Sequence, residues 1–215
     1  MSWKIHKKRH LTSFQVIILG FAGVILFGAL ILMLPISSAQ AIITPFHKAL
    51  FTSTSAVCVT GLVVLDTGSY WSVFGQTVIM FLIQIGGLGV ITTATSVFIL
   101  SGRKISIMQR STMQNAISAS KVGGIVRLMS FILKGTLLIE LIGALFMIPV
   151  FCHDFGLRGI WMSIFHSVSA FCNAGFDLLG TKWHPFVSLT SYAVNPVINI
   201  VIMLLIIIGG IGFFT

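Results

Sequence analysis

Few side chains in this sequence are suited to covalent or metal chemistry. It has only four acidic residues, and its three cysteines, Cys58, Cys152 and Cys172, form no CxxC pair. No histidine or aspartate stands at the spacing from a cysteine that a catalytic triad or a metal site needs. An odd number of unpaired cysteines also gives no indication of a disulfide framework. The sequence therefore predicts a protein that is not an enzyme and that holds no resident metal ion or cofactor.

Two short copies of one pattern are the most informative feature. FTSTSAVCVTG at 51–61 matches FHSVSAFCNAG at 165–175 at six of eleven positions, with an offset of 114 residues. A second match follows each copy, IGGLG at 85–89 and IGGIG at 208–212, with an offset of 123. So small a difference in spacing indicates a duplicated unit. The glycine that ends each long copy permits positive φ and a close approach of backbone to a ligand.

The composition around these copies is that of a membrane protein. Of 215 residues, 56% are apolar and 8% are charged, whereas about a quarter of the residues in a soluble domain are charged. The net charge is +9, but the basic residues lie between apolar runs rather than on a polar face, which argues against nucleic acid as a partner. Four apolar stretches are long enough to cross a lipid bilayer: 13–34, 71–100, 128–151 and 196–215.

Two other segments, 45–58 and 159–172, are too short to cross the bilayer. Both are amphiphilic, and each is followed by a stretch with no helical period. We interpret them as re-entrant half-helices. The predicted fold is an all-α membrane protein with two tandem units, 13–100 and 128–215, each composed of a span, a half-helix, an extended segment and a second span. The IGGLG and IGGIG clusters are expected to allow close helix packing or a bend.

This arrangement predicts a site for a cation. Irregular backbone at membrane depth is tolerated only where it is buried in protein or lines water. The carboxyl end of a helix carries about half a negative charge, which favours a cation in a cavity at that end. Backbone carbonyls in the extended segments can replace the hydration shell of an ion. No acidic residue lies within 51–61 or 165–175, so the sequence predicts selection by backbone oxygens rather than by a ring of charges.

The basic residues predict the orientation. Nine of the thirteen lysines and arginines lie in residues 1–12 and 101–127, and basic segments stay on the cytoplasmic side. We therefore expect a multi-pass protein of the cell membrane with a cytoplasmic amino terminus, whose half-helices enter from outside. The basic loop 101–127 is also expected to attract anionic lipid.

The segments TSAVCVTGLVVLDT, QIGGLGVIT and SAFCNAGFDLL closely resemble the Trk/Ktr/HKT superfamily of potassium transporters. The resemblance covers nearly the whole chain and is strongest to the KtrB-type membrane subunits of bacteria. It implies a potassium-channel-like pore made of four such units, with one filter glycine in each unit. It also implies potassium as the transported substrate and sodium as a candidate coupling ion.

The resemblance assigns the ion-selectivity filter residue by residue. Its carbonyls are expected from two segments, one in each unit: Cys58, Val59, Thr60 and Gly61, and Cys172, Asn173, Ala174 and Gly175. The expected partners of this protein include the lipid bilayer. In full-length form, the resemblance further implies a homodimer and a cytosolic, KtrA-like, nucleotide-binding regulatory ring, for which the loop 101–127 is the candidate docking surface.

Only two of the four units are present, and the last span stops after about twenty residues where its counterpart runs thirty. We therefore interpret the chain as the amino-terminal half of a KtrB-like potassium-uptake subunit. The alternative is a truncated fragment that transports nothing and acts only as a structural or assembly partner of an intact subunit.

Several other polar residues remain open between two roles. Asp66 and Asp177 follow the predicted filters, where they either concentrate cations at the pore mouth or cap a loop. Glu140, within a span, either makes a structural polar contact to the adjoining half-helix or acts at the pore. His47 and His166 are expected to orient neighbouring groups or to face solvent. The half-helix serines are expected to bond to backbone: Ser53, Ser55, Ser167 and Ser169.

Overall fold

The computed structural model describes residues 13–89 and 125–211. These two ranges contain six α-helices and no β-strand. The helices are α1 (Ser13–Met33), α2 (Phe46–Val57), α3 (Val73–Leu88), α4 (Ile125–Phe155), α5 (Arg158–Phe171) and α6 (Pro196–Ile211). Two short 3-10 turns, Pro35–Ser37 and Thr190–Tyr192, lie in the connections. The all-α prediction is confirmed for the described ranges.

Two of these helices are long and apolar enough to cross a membrane. They are Gln15–Met33 within α1 and Ser130–Phe155 within α4. Only 17% and 33% of their most apolar windows are buried inside the protein. A core helix of a soluble protein would be mostly buried, because exposed apolar surface is unfavourable in water. Lipid is the solvent that suits these two surfaces.

The helix bounds refine the predicted spans. The helix α4 begins at Ile125, so the last three residues of the predicted loop 101–127 are helical, and it continues to Phe155 rather than ending at 151. The helix α3 ends at Leu88, where Gly89 takes a φ of 82°. The rest of the predicted span 71–100, the basic segments 1–12 and 101–124, and residues 212–215 lie outside the described residues.

Local sequence explains where several helices begin and end. Pro35 follows α1 and starts a 3-10 turn, since proline has no amide hydrogen to continue the helical bonding. Ser72 is the N-cap of α3, and its hydroxyl accepts a hydrogen bond from the Gly75 amide at 3.1 Å. Pro196 occupies the first position of α6, where its fixed φ suits a helix start.

The six helices pack as two similar groups of three. The helices α1, α2 and α3 contact one another, as do α4, α5 and α6, and the contact between α3 and α5 joins the groups. One serine in each group ties the short helix to the preceding long one. Ser53 Oγ donates to the Ile25 carbonyl at 2.7 Å, and Ser167 Oγ donates to the Glu140 carbonyl at 2.6 Å. The sequence repeat therefore corresponds to a repeated packing arrangement.

Candidate functional site

The first short helix ends in a Schellman motif. The Thr60 amide donates to the Ser55 carbonyl at 3.0 Å, and the Val59 amide donates to the Ala56 carbonyl at 3.2 Å. This pair of bonds ends a helix and changes the direction of the chain. It requires a left-handed conformation at the residue that directly follows the C-cap. Val59 is that residue, with a φ of 55°, which is strained for a β-branched side chain. The helix α2 is thereby stopped after twelve residues.

The second short helix ends in the same way, 114 residues later. The Ala174 amide donates to the Ser169 carbonyl at 2.7 Å, and the Asn173 amide donates to the Ala170 carbonyl at 3.0 Å. Asn173 has a φ of 57°, and asparagine tolerates this conformation better than valine does. Both copies of the sequence pattern thus produce one backbone geometry despite the different residues at the left-handed position.

The glycines that end the two patterns lie against each other. Gly61 has a φ of 70° and Gly175 a φ of 73°, a region that favours glycine. A Cβ atom on Gly61 would lie 2.5 Å from the Ala174 carbonyl oxygen, and one on Gly175 would lie 3.7 Å from the Gly61 Cα. The two segments are therefore in backbone contact where Gly61 meets Ala174 and Gly175.

Glycines of the long helices make room for the short ones. A Cβ on Gly86 of α3 would overlap the Val57 carbonyl oxygen, and a Cβ on Gly209 of α6 would overlap that of Phe171. These two contacts are equivalent in the repeat, since each joins the third helix of a group to the last residue of the short helix in the same group. The prediction that the glycine clusters permit close helix packing is confirmed at these positions.

Another glycine of the same cluster reaches across to the other unit. A Cβ on Gly87 would lie 2.5 Å from Cys172 Sγ. Cys172 is buried, whereas Cys58 at the equivalent position is exposed. In the described ranges, no group of three or more His, Cys, Asp or Glu side chains is placed to hold a metal ion. Cys172 therefore acts here as a packing residue between the units.

His166 holds the segment that follows the second pattern. Its side chain is 2% exposed, Nδ1 lies 2.7 Å from the Met162 carbonyl oxygen, and the Leu178 amide lies 3.3 Å from Nε2. These partners require the neutral tautomer, in which Nδ1–H donates to Met162 and Nε2 accepts from Leu178. The expectation of an orienting histidine is confirmed at this position. His47, on α2, is exposed.

The serines of the short helices bond largely as predicted. Besides Ser53 and Ser167, Ser169 Oγ donates to a backbone carbonyl, that of Phe176, at 2.7 Å. Ser55 differs, because its hydroxyl lies 2.9 Å from the hydroxyl of Thr60. Both Ser55 and Ser169 thus tie a short helix to the segment beyond it.

Asp66 lies in the connection after the first pattern and is 6% exposed. Its carboxylate accepts hydrogen bonds from the Ser69 amide at 2.8 Å, the Ser69 hydroxyl at 2.6 Å and the Phe186 amide at 2.8 Å. Such bonds cap a loop and also tie the two units together, because Phe186 belongs to the second unit. A role for Asp66 at a cation-binding mouth stays a prediction.

Asp177 occupies the corresponding region of the second unit. Its Oδ1 accepts a hydrogen bond from the Leu179 amide at 3.0 Å. Burial, and to a smaller extent the charge of Asp66, raises the pKa of the Asp177 carboxyl. Asp177 also lines a cavity of about 200 Å³, together with His166 and Gly175. Its role as a cation-attracting residue is likewise a prediction.

Glu140 links the two units inside the helical bundle. Its Oε1 accepts a hydrogen bond from Gln84 Nε2 on α3 at 2.9 Å, while its backbone carbonyl accepts the hydroxyl of Ser167. The Glu140 side chain thus makes a structural polar contact, but to α3 of the other group, and only its backbone contacts the short helix α5. A role for Glu140 at the pore stays a prediction.

Two packing contacts between a glycine and a serine of a short helix were not predicted from the sequence. A Cβ on Gly28 would lie 2.6 Å from Ser53 Oγ, and a Cβ on Gly143 would lie 2.7 Å from Ser167 Oγ. Gly28 and Gly143 are 115 residues apart, one more than the offset of the serines. Extending the repeat alignment upstream with a one-residue shift would have revealed this pair.

Comparisons with known proteins show relatives along nearly the whole chain. The model of the TrkH family, described as cation transport protein, matches residues 4–215. Potassium/sodium uptake protein NtpJ of Enterococcus hirae is 44% identical over 207 residues, which cover 96% of this chain and 45% of that protein. Ktr system potassium uptake protein B of Bacillus subtilis is 43% identical over 211 residues, 98% of this chain and 46% of that protein. Its namesake in Vibrio alginolyticus is 35% identical over 200 residues, 93% of this chain and 42% of that protein.

The chain thus spans slightly less than half the length of these curated relatives, which it matches along nearly all of its own length. The family model matches residues 4–215, and the identities are 35–44% over at least 200 residues. The similarity therefore extends along the chain and is not confined to short motifs. The chain belongs to the TrkH family of cation transport proteins.

Proposed function

We propose that this chain forms half of the ion-conducting pore of a potassium-uptake transporter of the KtrB type. The observation that carries the proposal is the contact between the two repeated segments, in which Gly61 and Gly175 lie side by side with positive φ. Two segments brought together at the ends of two short helices offer carbonyl oxygens to one shared axis. In a complete pore, two further units would close the ring around that axis.

The short helices supply the electrostatics of the site. At 1.5 Å per residue, the twelve residues of α2 span roughly 18 Å and the fourteen of α5 roughly 21 Å. Both lengths are well below the ~30 Å of a bilayer core, which supports the re-entrant arrangement. Each carboxyl end leads directly into a repeated segment, so its negative end of the helix dipole favours a cation there.

Carbonyl oxygens are the proposed ligands of the ion. They belong to the segments Cys58 to Gly61 and Cys172 to Gly175, where no acidic side chain is present. A potassium ion that sheds water there exchanges hydration oxygens for carbonyl oxygens. Sodium is the candidate coupling ion, and the Enterococcus hirae relative is named a potassium/sodium uptake protein.

The membrane arrangement follows from the same proposal. Residues 1–12 and 101–127 form cytoplasmic basic segments, and residues 13–100 and 128–215 form the two units, with both half-helices entering from outside. The transporter lies in the cell membrane, pairs as a homodimer in its full-length form, and presents its cytoplasmic loop to a nucleotide-binding regulatory ring. The Bacillus subtilis relative is named as protein B of a Ktr system, and this name supports an assembly of several components.

A chimera tests the filter assignment. Residues 4–215 replace the matching half of the Bacillus subtilis relative, and rubidium uptake is measured in cells that lack potassium uptake. Gly61→Ser and Gly175→Ser are expected to reduce discrimination between potassium and sodium. Gly156→Ser is the matched control, because Gly156 also has positive φ, 60°, but lies in open space outside the repeated segments. Unchanged selectivity in both filter variants would remove the assignment.

A second measurement distinguishes the proposed transport function from the alternative, in which the chain is a structural partner that does not transport. The 215-residue chain is expressed by itself in the same cells. Rubidium uptake above the level of empty cells would reject the purely structural role. Uptake by the chimera alone would instead show that the segments work only when the other two units complete the pore.

A further inference from the structure

A cavity of about 600 Å³ opens between the two units, on the side where α3 and α5 begin. Both units contribute to its wall. The lining includes Ser69, Trp71, Ser72, Arg158, Trp161 and Lys182. None of the proposed filter residues lines this cavity, so it is distinct from the ion-binding site.

Positive charge dominates the lining of this cavity. Arg158 and Lys182 both line it, and no acidic residue does. One guanidinium nitrogen of Arg158, Nη2, donates to the Gly68 carbonyl oxygen at 3.2 Å, which fixes the side chain across the boundary between units. Asp66 is hydrogen-bonded to Ser69 of this wall and to Phe186. These neutral donors leave its negative charge in place, so the two basic side chains exceed it by one positive charge.

The helix starts add to this charge. The helix α3 begins beside the cavity after its N-cap, Ser72, and α5 begins at Arg158 itself. The amino end of each helix carries about half a positive charge. Two such ends and two basic side chains facing one cavity favour an anion with several acceptor oxygens.

A buried donor at the same wall lacks a partner. Trp71 lines the cavity and is 1% exposed, and its indole N–H makes no hydrogen bond within the part of the chain that the structure describes. A buried N–H without an acceptor is costly. The neighbouring Trp161 differs, because its indole N–H donates to Gln76 Oε1 at 2.8 Å. The indole N–H of Trp71 is buried from the cavity as well, so the charged contacts proposed below do not include it.

We propose that this cavity binds the phosphate headgroup of an anionic phospholipid, with Arg158 and Lys182 as the charged contacts. The apolar neighbours favour a lipid over a free anion. Val73, which lines the cavity, and Phe74, which follows it in the first turn of α3, are exposed large apolar side chains, where acyl chains would lie. Tryptophans are also typical of the level at which headgroups sit. The proposal rests on the membrane arrangement proposed above, but not on the filter.

Lipid binding to the purified 215-residue chain tests this site. Native mass spectrometry measures retention of added phosphatidylglycerol, with phosphatidylcholine as the neutral comparison. Each basic residue near an anionic headgroup contributes about five-fold to affinity. Arg158→Gln and Lys182→Gln should therefore each weaken phosphatidylglycerol binding about five-fold, and the double variant about 25-fold. Lys48→Gln, which removes the same charge from a residue outside the cavity, should leave the affinity unchanged.

Three results would overturn the proposal. Equal weakening by Lys48→Gln would indicate diffuse attraction to surface charge, and an unchanged double variant would exclude both residues. Binding of inorganic phosphate with the same dependence on the two bases, without binding of phosphatidylglycerol, would assign the cavity to a soluble anion. If Arg158→Gln disturbs folding through the lost bond to Gly68, Lys182→Gln decides, because the Lys182 ammonium makes no hydrogen bond to described residues. Rubidium uptake by the chimera, measured separately, distinguishes failure here from failure of the filter.

Discussion

Alanine at three glycines with positive φ should have graded effects that follow from their surroundings. Gly61, Gly156 and Gly175 have φ values of 70°, 60° and 73°. An L-residue in this conformation costs about 1–2 kcal/mol at each position. At Gly156 a Cβ meets nothing within 4 Å, and at Gly175 its nearest neighbour is at 3.7 Å, so backbone strain is the whole expected cost.

Gly61 carries a second cost. Its Cβ would lie 2.5 Å from the Ala174 carbonyl oxygen, a backbone atom that cannot rotate aside as the end of a flexible side chain can. Overlap of this kind, relieved by backbone shifts, costs about 1–3 kcal/mol more. Gly61→Ala should therefore lose about 2–5 kcal/mol in total, while Gly156→Ala and Gly175→Ala each lose about 1–2 kcal/mol.

Thermal unfolding of the detergent-solubilised chain, followed by fluorescence-detected size exclusion, measures the order. Gly61→Ala should have a Tm clearly below those of Gly156→Ala and Gly175→Ala, which should be similar to each other. Since about 1 kcal/mol corresponds to roughly 2–4 °C in a chain of this size, the separation is measurable. A Gly61→Ala chain as stable as Gly156→Ala would refute the side-by-side placement of the two segments.

Further substitutions probe three other contacts. Gly86→Ala should lower Tm strongly, because its methyl group would overlap a carbonyl oxygen of α2. Gly23→Ala is the control and should not lower Tm, because a Cβ there has no neighbour within 4 Å. Equal effects of the two variants would contradict the close packing of α3. His166→Ala should cost about 1–3 kcal/mol by leaving a buried amide without its acceptor, and should reduce ion selectivity in the chimera; unchanged stability and selectivity would contradict its orienting role. Glu140→Gln should retain an acceptor oxygen for Gln84 Nε2 and hence most of the stability. Glu140→Ala removes that acceptor and should lose about 1–3 kcal/mol. Similar Tm values for the two variants would show that this hydrogen bond contributes little.

The short helices were largely predictable because length and polarity constrain them. The predicted segments 45–58 and 159–172 differ by one residue at each end from Phe46–Val57 and Arg158–Phe171. Their apolar content is too small for a span, and the repeat fixes both at once. By contrast, hydropathy predicted one uninterrupted span, 71–100, that continues past Gly89. The described helix ends there, at a residue with positive φ. Hydropathy measures transfer to lipid and carries no information on backbone dihedrals.

Contacts between the units could not be predicted. The approach of Gly61 to Ala174 and the bond from Arg158 to Gly68 join residues about 90 or more positions apart, and no spacing rule specifies such pairs. The bond between His166 and Leu178 was equally hidden, since its donor is a backbone amide, which every residue except proline provides. The left-handed Val59 was unexpected because valine disfavours this region; only the repeat with Asn173 points to it.

Density for a bound heavy cation would test the central claim most directly. In a structure of the chimera prepared in thallium, which replaces potassium and scatters anomalously, the account predicts a peak coordinated by backbone carbonyls from both the 58–61 and the 172–175 segments. A peak held by side chains elsewhere, or carbonyls of the two segments turned away from a common ion, would contradict it.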